Sequence, residues 1–485
     1  MSTLYAFCIG GTGALCLESL VHLCATGQGP KKLVPVMMDP DANNANVLRT
    51  VSVINGYREI RARLDPGYNS GFFATEIEPA ENTLVWSPLT RARAQTLADA
   101  VRLTATDGAL RDLTQMLFSR AQLNQQLDQG FRGNPAIGSV LMQAIENEPF
   151  FANITSKIKN EPSSAVFLFG SIFGGTGASG FPVIAHLVRA AAPQARIGGA
   201  LVLPYFSIGQ PSAEEAAADA LHPESAQFLV NAAGALPFYA RESMAFSSLY
   251  YLGDELSMHR ERAYSAGGPS QNNASHCIEL LAALAARHFS TPSGMEHPAY
   301  YMAVHGRDLG WRDLPGLDAE RLNAFTSFGI FFRNYFAKLL DTNINELEKD
   351  AFMQAWIASL ELPKSFFRDH KDDVVRIDAY LQRYFRWLTE LHGSTVALDL
   401  YHTDFGIDHY QRHYAPPRRR IMGVPTKEPA SMKSISEVHS YCNAVSQRSP
   451  GAGPLTRFVN HLTLGMDHFN QSWYRIPPVP VRNGR

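Results

Sequence analysis

The sequence predicts an α/β protein built on a parallel sheet, and three observations carry this prediction. Short apolar segments recur along the first half of the chain, several end in a glycine-rich or acidic turn, and helical patterns follow them. Strands buried on both faces appear as continuous apolar runs, and parallel strands need helical crossovers. Loops at the carboxyl ends of such strands are where open α/β sheets bind ligands.

The stretch from Val166 to Ala185 has the clearest pattern. Ala165–Phe169 predicts a central strand, and Gly174-Gly-Thr-Gly-Ala-Ser-Gly180 follows it. Glycine reaches φ > 0 and approaches an anion without a Cβ in the way, and small hydroxyls add donors. Pro182 predicts the first turn of a helix whose positive dipole end faces the glycines. We therefore expect phosphate binding by Gly174, Gly175, Thr176, Gly177, Ala178, Ser179 and Gly180.

A second strand, glycine turn and helix occur at the N-terminus. Leu4–Ile9 predicts the first strand, and Gly10-Gly-Thr-Gly-Ala14 leads into an apolar helix. Alone, this pattern could be the dinucleotide fingerprint of an NAD(P)-binding oxidoreductase of Rossmann type, although Cys16 occupies the third glycine position. The candidate phosphate-binding residues of this segment are Gly10, Gly11, Thr12 and Gly13.

The second predicted strand, Leu33–Met38, ends in Asp39-Pro-Asp-Ala-Asn-Asn44. In an NAD(P)-binding protein, Asp39 would accept a hydrogen bond from a ribose hydroxyl. A strand-end turn built from Asp, Pro and Asn is the purely structural alternative. Asp39 and Asp41 are therefore candidate nucleotide ligands.

Further strands are predicted at Arg196–Leu203 and Leu249–Gly253. The turn-rich stretch Arg132–Gly138 could border the phosphates. Ser270-Gln-Asn-Asn-Ala-Ser-His-Cys precedes a long apolar helix, Ile278–Phe289, and an asparagine there could cap that helix.

The run Gly174–Gly180 followed by Pro182-Val-Ile-Ala185 resembles the signature loop of the tubulin/FtsZ superfamily, commonly Gly-Gly-Gly-Thr-Gly-Ser/Thr-Gly. The resemblance extends over roughly Leu4 to Ser207 and suggests a divergent bacterial-type member. It implies a parallel-sheet, GTP-binding domain, a central helix, and then a divergent, helix-rich C-terminal half. Both glycine segments would contact the phosphates of GTP or GDP.

The same resemblance implies further ligand contacts. Met37-Met-Asp-Pro-Asp41 matches the second nucleotide loop, with Asp39 on the family's Asp. In the family, an asparagine at the start of the central helix reads the guanine edge, and Asn272 or Asn273 falls there. Mg²⁺ is a further candidate cofactor, and assembly with copies of itself into filaments or oligomers is the implied association.

One family feature is missing from the sequence. Tubulin and FtsZ complete the GTPase site of the next subunit with an acidic loop after the central helix, whereas Thr291–Tyr300 has no Asn-Xaa-Asp-Xaa-Xaa-Asp spacing. Glu296, Asp308 and Asp313 are the nearby carboxylates. We therefore expect slow or undetectable GTP hydrolysis, and a scaffold that binds nucleotide without turnover is a third interpretation.

Length and motif positions predict a nucleotide-binding domain over 1–270 with a helical insertion near 52–160. After this domain we predict a central helix over 271–290, a helix-rich second domain over 291–475 and an extended tail over 476–485.

Composition excludes several classes of function. The net charge of −2 and pI near 6.8 give no basis for nucleic-acid binding. Five cysteines, an odd number without metal spacing, indicate reduced thiols in a cytoplasmic protein. The glycines and polar residues of 165–188 disfavour a membrane span, and the N-terminus lacks a signal peptide pattern. His409 and His413 lack a third ligand in register, so we predict no metal site.

Overall fold

Eight parallel strands form the central sheet of the α/β fold. They are β1 Thr3–Ile9, β2 Lys32–Met38, β3 Glu76–Ile77, β4 Val85–Trp86, β5 Ala165–Ser171, β6 Arg196–Val202, β8 Ser248–Asp254 and β10 Ala299–Val304. Two short strands, β7 Phe206–Ile208 and β9 Arg260–Arg262, pair parallel to each other, and β11 Arg420–Ile421 pairs antiparallel to β12 Val424–Pro425.

The computed structural model describes residues 3–473 apart from 42, 70, 88–95, 128–129, 214–223, 242–244, 256–258, 266, 292–298, 305–313, 338–348, 350, 395–419, 422–423, 426–434 and 446–451. The predicted tail and the histidines at 409 and 413 lie outside these residues.

Helices account for most of the remaining described chain. They are α1 Gly10–Ala25, α2 Ala45–Arg61, α3 Leu97–Ala100, α4 Gly108–Leu117, α5 Arg120–Leu123, α6 Pro135–Met142, α7 Pro149–Asn160, α8 Gly175–Ala191, α9 Ser225–Arg241, α10 Cys277–Phe289, α11 Ala319–Phe332, α12 Ala351–Ser359, α13 Phe366–Asp369, α14 Lys371–His392, α15 Ile435–Asn443 and α16 Pro454–Trp473. Short 3₁₀ turns cover Gln143–Asn147 and Gly268–Ser270, and a π turn covers Arg333–Ala337.

The strand order reverses between β1 and β5. Leu4 of β1 lies opposite Leu33 of β2 on one side and opposite Ala165 of β5 on the other. From β1 the chain adds β2, β3 and β4 in one direction, and from β5 it adds β6, β8 and β10 in the other. Ligands of open α/β sheets bind in the crevice that such a reversal creates at the carboxyl ends of the strands.

The predicted parallel sheet is confirmed, and its central strands are completely buried. Every residue of β1 and β5 is buried, which explains why both appear in the sequence as unbroken apolar runs. Helix α1 is buried at all positions except Thr12 and packs against α2 and α10. Helix α8 packs against α6.

Three local predictions were wrong. Helix α8 begins at Gly175, so Pro182 lies inside this helix rather than in its first turn. None of the glycines between Gly174 and Gly180 has a positive φ, so they form the helix start and not a left-handed turn. Helix α10 is capped by the His276 side chain and Glu279, not by an asparagine.

Elements of the C-terminal half pack onto the first half. Buried aromatic residues of α11 and α14 contact the N-terminal core: Phe325 packs against Phe72 and Phe73, and Trp387 donates to the Ser19 hydroxyl of α1 at 3.0 Å. Within the described parts of the chain, no helix has the length and apolar character needed to cross a lipid bilayer.

Candidate functional site

A cavity lies at the carboxyl ends of β1 and β5, where the strand order reverses. It contains about 890 Å³ of space, part of it open to solvent. Its wall comes from the starts of α1 and α8, the turns after β2 and β5, and the segments 130–133, 206–208, 262–265 and 271–273.

Two helix N-termini meet at this cavity. Helix α1 begins at Gly10 and α8 at Gly175, and neither has a side chain that caps its N-terminus or an acidic residue in its first turn. The first N–H groups of a helix have no partner within it, and the helix dipole adds positive potential there. The cavity therefore offers two backbone anion sites side by side.

The glycines are required by close packing at these two helix starts. A Cβ on Gly177 would lie 2.8 Å from the backbone nitrogen of Ser171, and a Cβ on Gly13 would lie 2.8 Å from the Phe169 carbonyl oxygen. Gly10 is the one glycine of both segments with a positive φ, at +72°. Larger residues would push the helices away from the strands, so the glycines keep both N-termini at the cavity.

Asp39 and Asp41 line the cavity after β2. Asp39 accepts hydrogen bonds from the Asp41 N–H and from the Asn44 side-chain amide, both at 3.0 Å. Asp41 accepts from the N–H groups of Asn43 and Gly268. Burial is the main cause that raises the pKa of Asp39 to about 7, and the Asp41 carboxylate adds to it, although the two hydrogen bonds act in the opposite direction.

The segment before α10 forms the next part of the wall. Asn46 holds it at two points: its N–H donates to the Gln271 carbonyl at 3.1 Å, and its side-chain oxygen accepts from the Asn273 N–H at 2.8 Å. Asn44 donates to the Gln271 side chain at 3.0 Å. Asn273 lines the cavity, whereas Asn272 is exposed and lies outside its wall.

Two arginines bring positive charge to the cavity wall. Arg132 lies in a tight segment with positive φ at Gly130, Arg132 and Gly133, in the turn-rich stretch that the sequence indicated. Arg262 was not predicted, because nothing in its local sequence marks it. Its guanidinium lies 4.1 Å from the ring centroid of Phe206 and 3.5 Å from the buried Glu279 carboxylate.

Another part of the wall is apolar and aromatic. Side chains from separate elements meet there: Phe173, Phe206, Ile208 and Phe228. The rings of Phe173 and Phe228 lie 4.7 Å apart, and those of Phe173 and Phe206 lie 5.7 Å apart. Sequence reasoning missed these residues because an aromatic residue at a cavity has the same pattern as one in the core.

The sequence-predicted residues divide into two groups. Those that line the cavity are Gly10, Gly11, Thr12, Asp39, Asp41, Gly174, Gly175, Thr176, Gly177 and Asn273. Those outside the wall are Gly13, Ala178, Ser179, Gly180 and Asn272. The Ser179 hydroxyl donates inside the helix to the carbonyl oxygens of Gly175 at 2.7 Å and Thr176 at 3.1 Å. Its hydrogen bonds are therefore made within α8.

Acidic residues that could assist hydrolysis or hold a metal are few in the described structure. Glu296, Asp308 and Asp313 lie outside the described residues. Among the described residues, no group of three or more His, Cys, Asp or Glu side chains could hold a metal ion by itself. Asp39 and Asp41 are the carboxylates at the cavity wall.

Comparisons with known proteins do not assign this chain to a family. No family model matches the chain, and no curated protein matches it. CetZ from Methanosaeta thermophila strain DSM 6194 is a weak structural neighbour, with 16% identity and a TM-score of 0.25. The match covers 52% of this chain and 46% of that chain, so less than half of CetZ is matched. A likeness this weak does not assign the chain to a family.

Proposed function

We propose that this protein is a divergent tubulin/FtsZ-like protein that binds GTP or GDP in the cavity between β1 and β5. The observation that carries the proposal is the meeting of two uncapped helix N-termini, α1 and α8, at one cavity. A single phosphate needs one such helix start, and a chain of phosphates can use two. The signature-like glycine sequence forms one of these starts.

The charges of the wall support a polyphosphate ligand. Backbone N–H groups of Gly11, Thr12, Thr176 and Gly177 bind the phosphates, and Arg132 and Arg262 balance their negative charge. Small residues keep the floor of the cavity free of side chains. A preorganised set of donors of this kind orients a phosphate chain without reorganising the protein.

The remaining walls match the other parts of a nucleotide. Asp39 and Asp41 accept hydrogen bonds from ribose hydroxyls, as carboxylates do in other nucleotide sites. Phe206 and Phe228 offer flat apolar surface for a base. Asn273, with both a donor and an acceptor in its side chain, reads the edge of that base.

Mg²⁺ fits the site as an accessory to the phosphates. This ion usually takes one or two protein carboxylates, keeps several waters and binds substrate phosphates. Asp39 and Asp41 provide such carboxylates beside the helix starts. When bound, Mg²⁺ would neutralise phosphate charge, and whichever of the two carboxylates does not accept from the ribose would hold it or its waters.

We further propose that nucleotide binding supports self-association, as a filament or an oligomeric scaffold, and that GTP hydrolysis is slow. The sequence after α10, which lacks the family's acidic spacing, supports slow hydrolysis only. If the nucleotide is bound without rapid turnover, it acts as a structural ligand and not as a substrate that is hydrolysed.

An NAD(P)-binding oxidoreductase is the second candidate function. The strand order on either side of β1 and the position of Asp39 at the end of β2 match the dinucleotide-binding arrangement. That function leaves the second uncapped helix start, at Gly175, without a ligand group. The GTP proposal uses both helix starts.

The decisive experiment identifies the bound nucleotide. We expect the purified protein to release GTP or GDP on denaturation, and electron microscopy with a slowly hydrolysed GTP analogue to show filaments or defined oligomers. Release of NAD(H) or NADP(H) would support the oxidoreductase instead. A protein that binds none of these nucleotides in equilibrium dialysis would refute both proposals.

A further inference from the structure

A largely buried arginine connects the cavity wall to the C-terminal half of the chain. The Arg49 side chain of α2 is 9% exposed and lies between two carboxylates, with Nη2 at 2.7 Å from Glu18 of α1 and 2.6 Å from Glu390 of α14. Burial lowers the pKa of Arg49, but the two carboxylates more than offset this and raise it overall. Arg49 is therefore permanently charged and fixed by three helices.

The same guanidinium holds the segment that carries Asn273. Nη1 donates to the Asn273 carbonyl at 3.0 Å, and Nη2 donates to the Ser275 hydroxyl at 2.7 Å. Glu390 accepts from the Ser275 N–H at 2.8 Å with the same oxygen that binds Arg49. A single residue of α14 thus fixes both Arg49 and the main chain two residues beyond Asn273.

Helix α2 holds this segment through two side chains. Asn46 binds Gln271 and the Asn273 N–H, and Arg49 binds the Asn273 carbonyl and the Ser275 hydroxyl. Without Glu390, Arg49 keeps its bond to Glu18 but loses its second carboxylate, and the Ser275 N–H loses its acceptor. The orientation of Asn273 at the cavity therefore depends on the position of α14.

We propose that Arg49 and Glu390 form a clamp through which α14 sets the position of Asn273, so that nucleotide selectivity and the packing of the C-terminal half are energetically coupled. The proposal rests on the proposed function, since it concerns the same cavity. Glu390 is a positioning residue and touches no ligand. Coupling of this kind is reciprocal: if α14 affects nucleotide binding, nucleotide binding must stabilise α14.

The test compares two carboxylate-to-alanine variants on the same helix. Glu390→Ala removes the clamp, and Asp378→Ala removes an ion pair with Arg333 at 3.0 Å that lies away from the cavity. For Glu390→Ala we expect the preference for GTP over ATP to fall about fivefold or more. Asp378→Ala should keep the wild-type preference. Glu390→Gln, whose amide oxygen can still accept from Arg49 and Ser275, should restore most of it.

Hydrogen exchange supplies a second readout, which a merely structural role of Glu390 would not change. In the wild type, GTP should slow amide exchange in the last turns of α14 as well as in 273–276, and Glu390→Ala should abolish the effect on α14. The clamp would be overturned if Glu390→Ala had the same preference for GTP over ATP as the wild type, and if GTP slowed amide exchange in α14 equally in both proteins. Failure of the wild type to bind any nucleotide would instead overturn the proposed function and the clamp's role in it.

Discussion

Gly10 and Thr176 face each other across the gap between the two helix starts: a Cβ on Gly10 would lie 3.3 Å from the Cβ of Thr176. Gly10 also has a positive φ, at +72°, which most other residues adopt only with strain. The two uncapped helix ends are therefore brought together by the backbone itself. The two glycine segments therefore lie at one cavity.

Substituting Gly175 or Gly177 by valine should abolish nucleotide binding. A Cβ on Gly175 would lie 2.9 Å from the Phe131 Cβ, and one on Gly177 would lie 2.8 Å from the Ser171 hydroxyl. Each valine therefore displaces α8 from the cavity, and we expect a loss of affinity of about 100-fold or more, as for several lost charge-assisted hydrogen bonds. Isothermal titration with GTP measures it.

Gly234→Ala is the control for these variants. A Cβ there has open space in the interior of α9, so this change should raise stability by up to about 1 kcal/mol and leave binding unaltered. If either valine variant keeps the far-ultraviolet circular dichroism of the wild type and binds GTP normally, the assignment of the α8 start to phosphate is wrong.

Asn273→Ala should weaken the preference for GTP over ATP, whereas Asn272→Ala should not. Asn273 lines the cavity and Asn272 is exposed outside it. Loss of a hydrogen bond to the base costs about 1–3 kcal/mol when its partner stays buried. Competition between the two nucleotides measures this difference. Equal selectivity in wild type and Asn273→Ala would remove Asn273 from base recognition.

Asp39 should make stability fall as pH rises. Its pKa is about 7 in the folded protein and about 4 in an unfolded chain. Between these values the folded state holds a proton that the unfolded state has released, so the free energy of unfolding decreases with increasing pH. The loss reaches at most about 4 kcal/mol above pH 7.

Denaturant unfolding of wild type and Asp39→Asn across pH 4 to 8 checks this contribution. The amide does not titrate, so the variant should gain stability relative to the wild type as pH rises, whatever its constant cost. A difference between the two proteins that does not vary with pH would show that Asp39 is ionised throughout this range.

GTP hydrolysis by the isolated protein should be slow or undetectable, with binding retained. Phosphoryl transfer to water is accelerated by positioning and by charges aimed at the transferring group, and the sequence after Phe289 lacks the acidic spacing that would supply them. A steady-state assay across protein concentrations measures it. Turnover that rises steeply with concentration and disappears on alanine substitution of Glu296, Asp308 or Asp313 would contradict the prediction.

The parallel sheet was predictable because its strands are buried on both faces. Leu4–Ile9 and Ala165–Phe169 have no charged side chain to interrupt them, and the structure extends them only to Thr3 and Ser171. Burial of a whole strand leaves a strong local signal. The glycine segments were recognisable from their composition, but the reason for their glycines was only partly predicted: Gly13 and Gly177 pack closely against neighbouring backbone, and Gly174–Gly180 form no left-handed turn.

Other parts of the site leave no local signal. Arg262 and Phe228 reach the cavity from elements far apart in the chain, and only the tertiary fold decides that they meet. The capping of α10 was mispredicted because the asparagines precede it by several residues, while His276 completes the capping box with Glu279. Similarly, the conformation of Gly174–Gly180 depends on where α8 begins, and helix starts are poorly defined by composition.

Strand β10 limits where a shorter fragment of the chain can end. It follows α10, yet Tyr301 pairs with Tyr251 of β8 in the same ladder. A polypeptide that ends at Phe289 would lack β10. The edge of β8 would then expose unpaired N–H and C=O groups next to the side chains of Tyr250 and Leu252. Such an edge recruits strands from other molecules. Recombinant production of the first 289 residues alone should therefore yield aggregates, and extending the fragment past Val304 should reduce them.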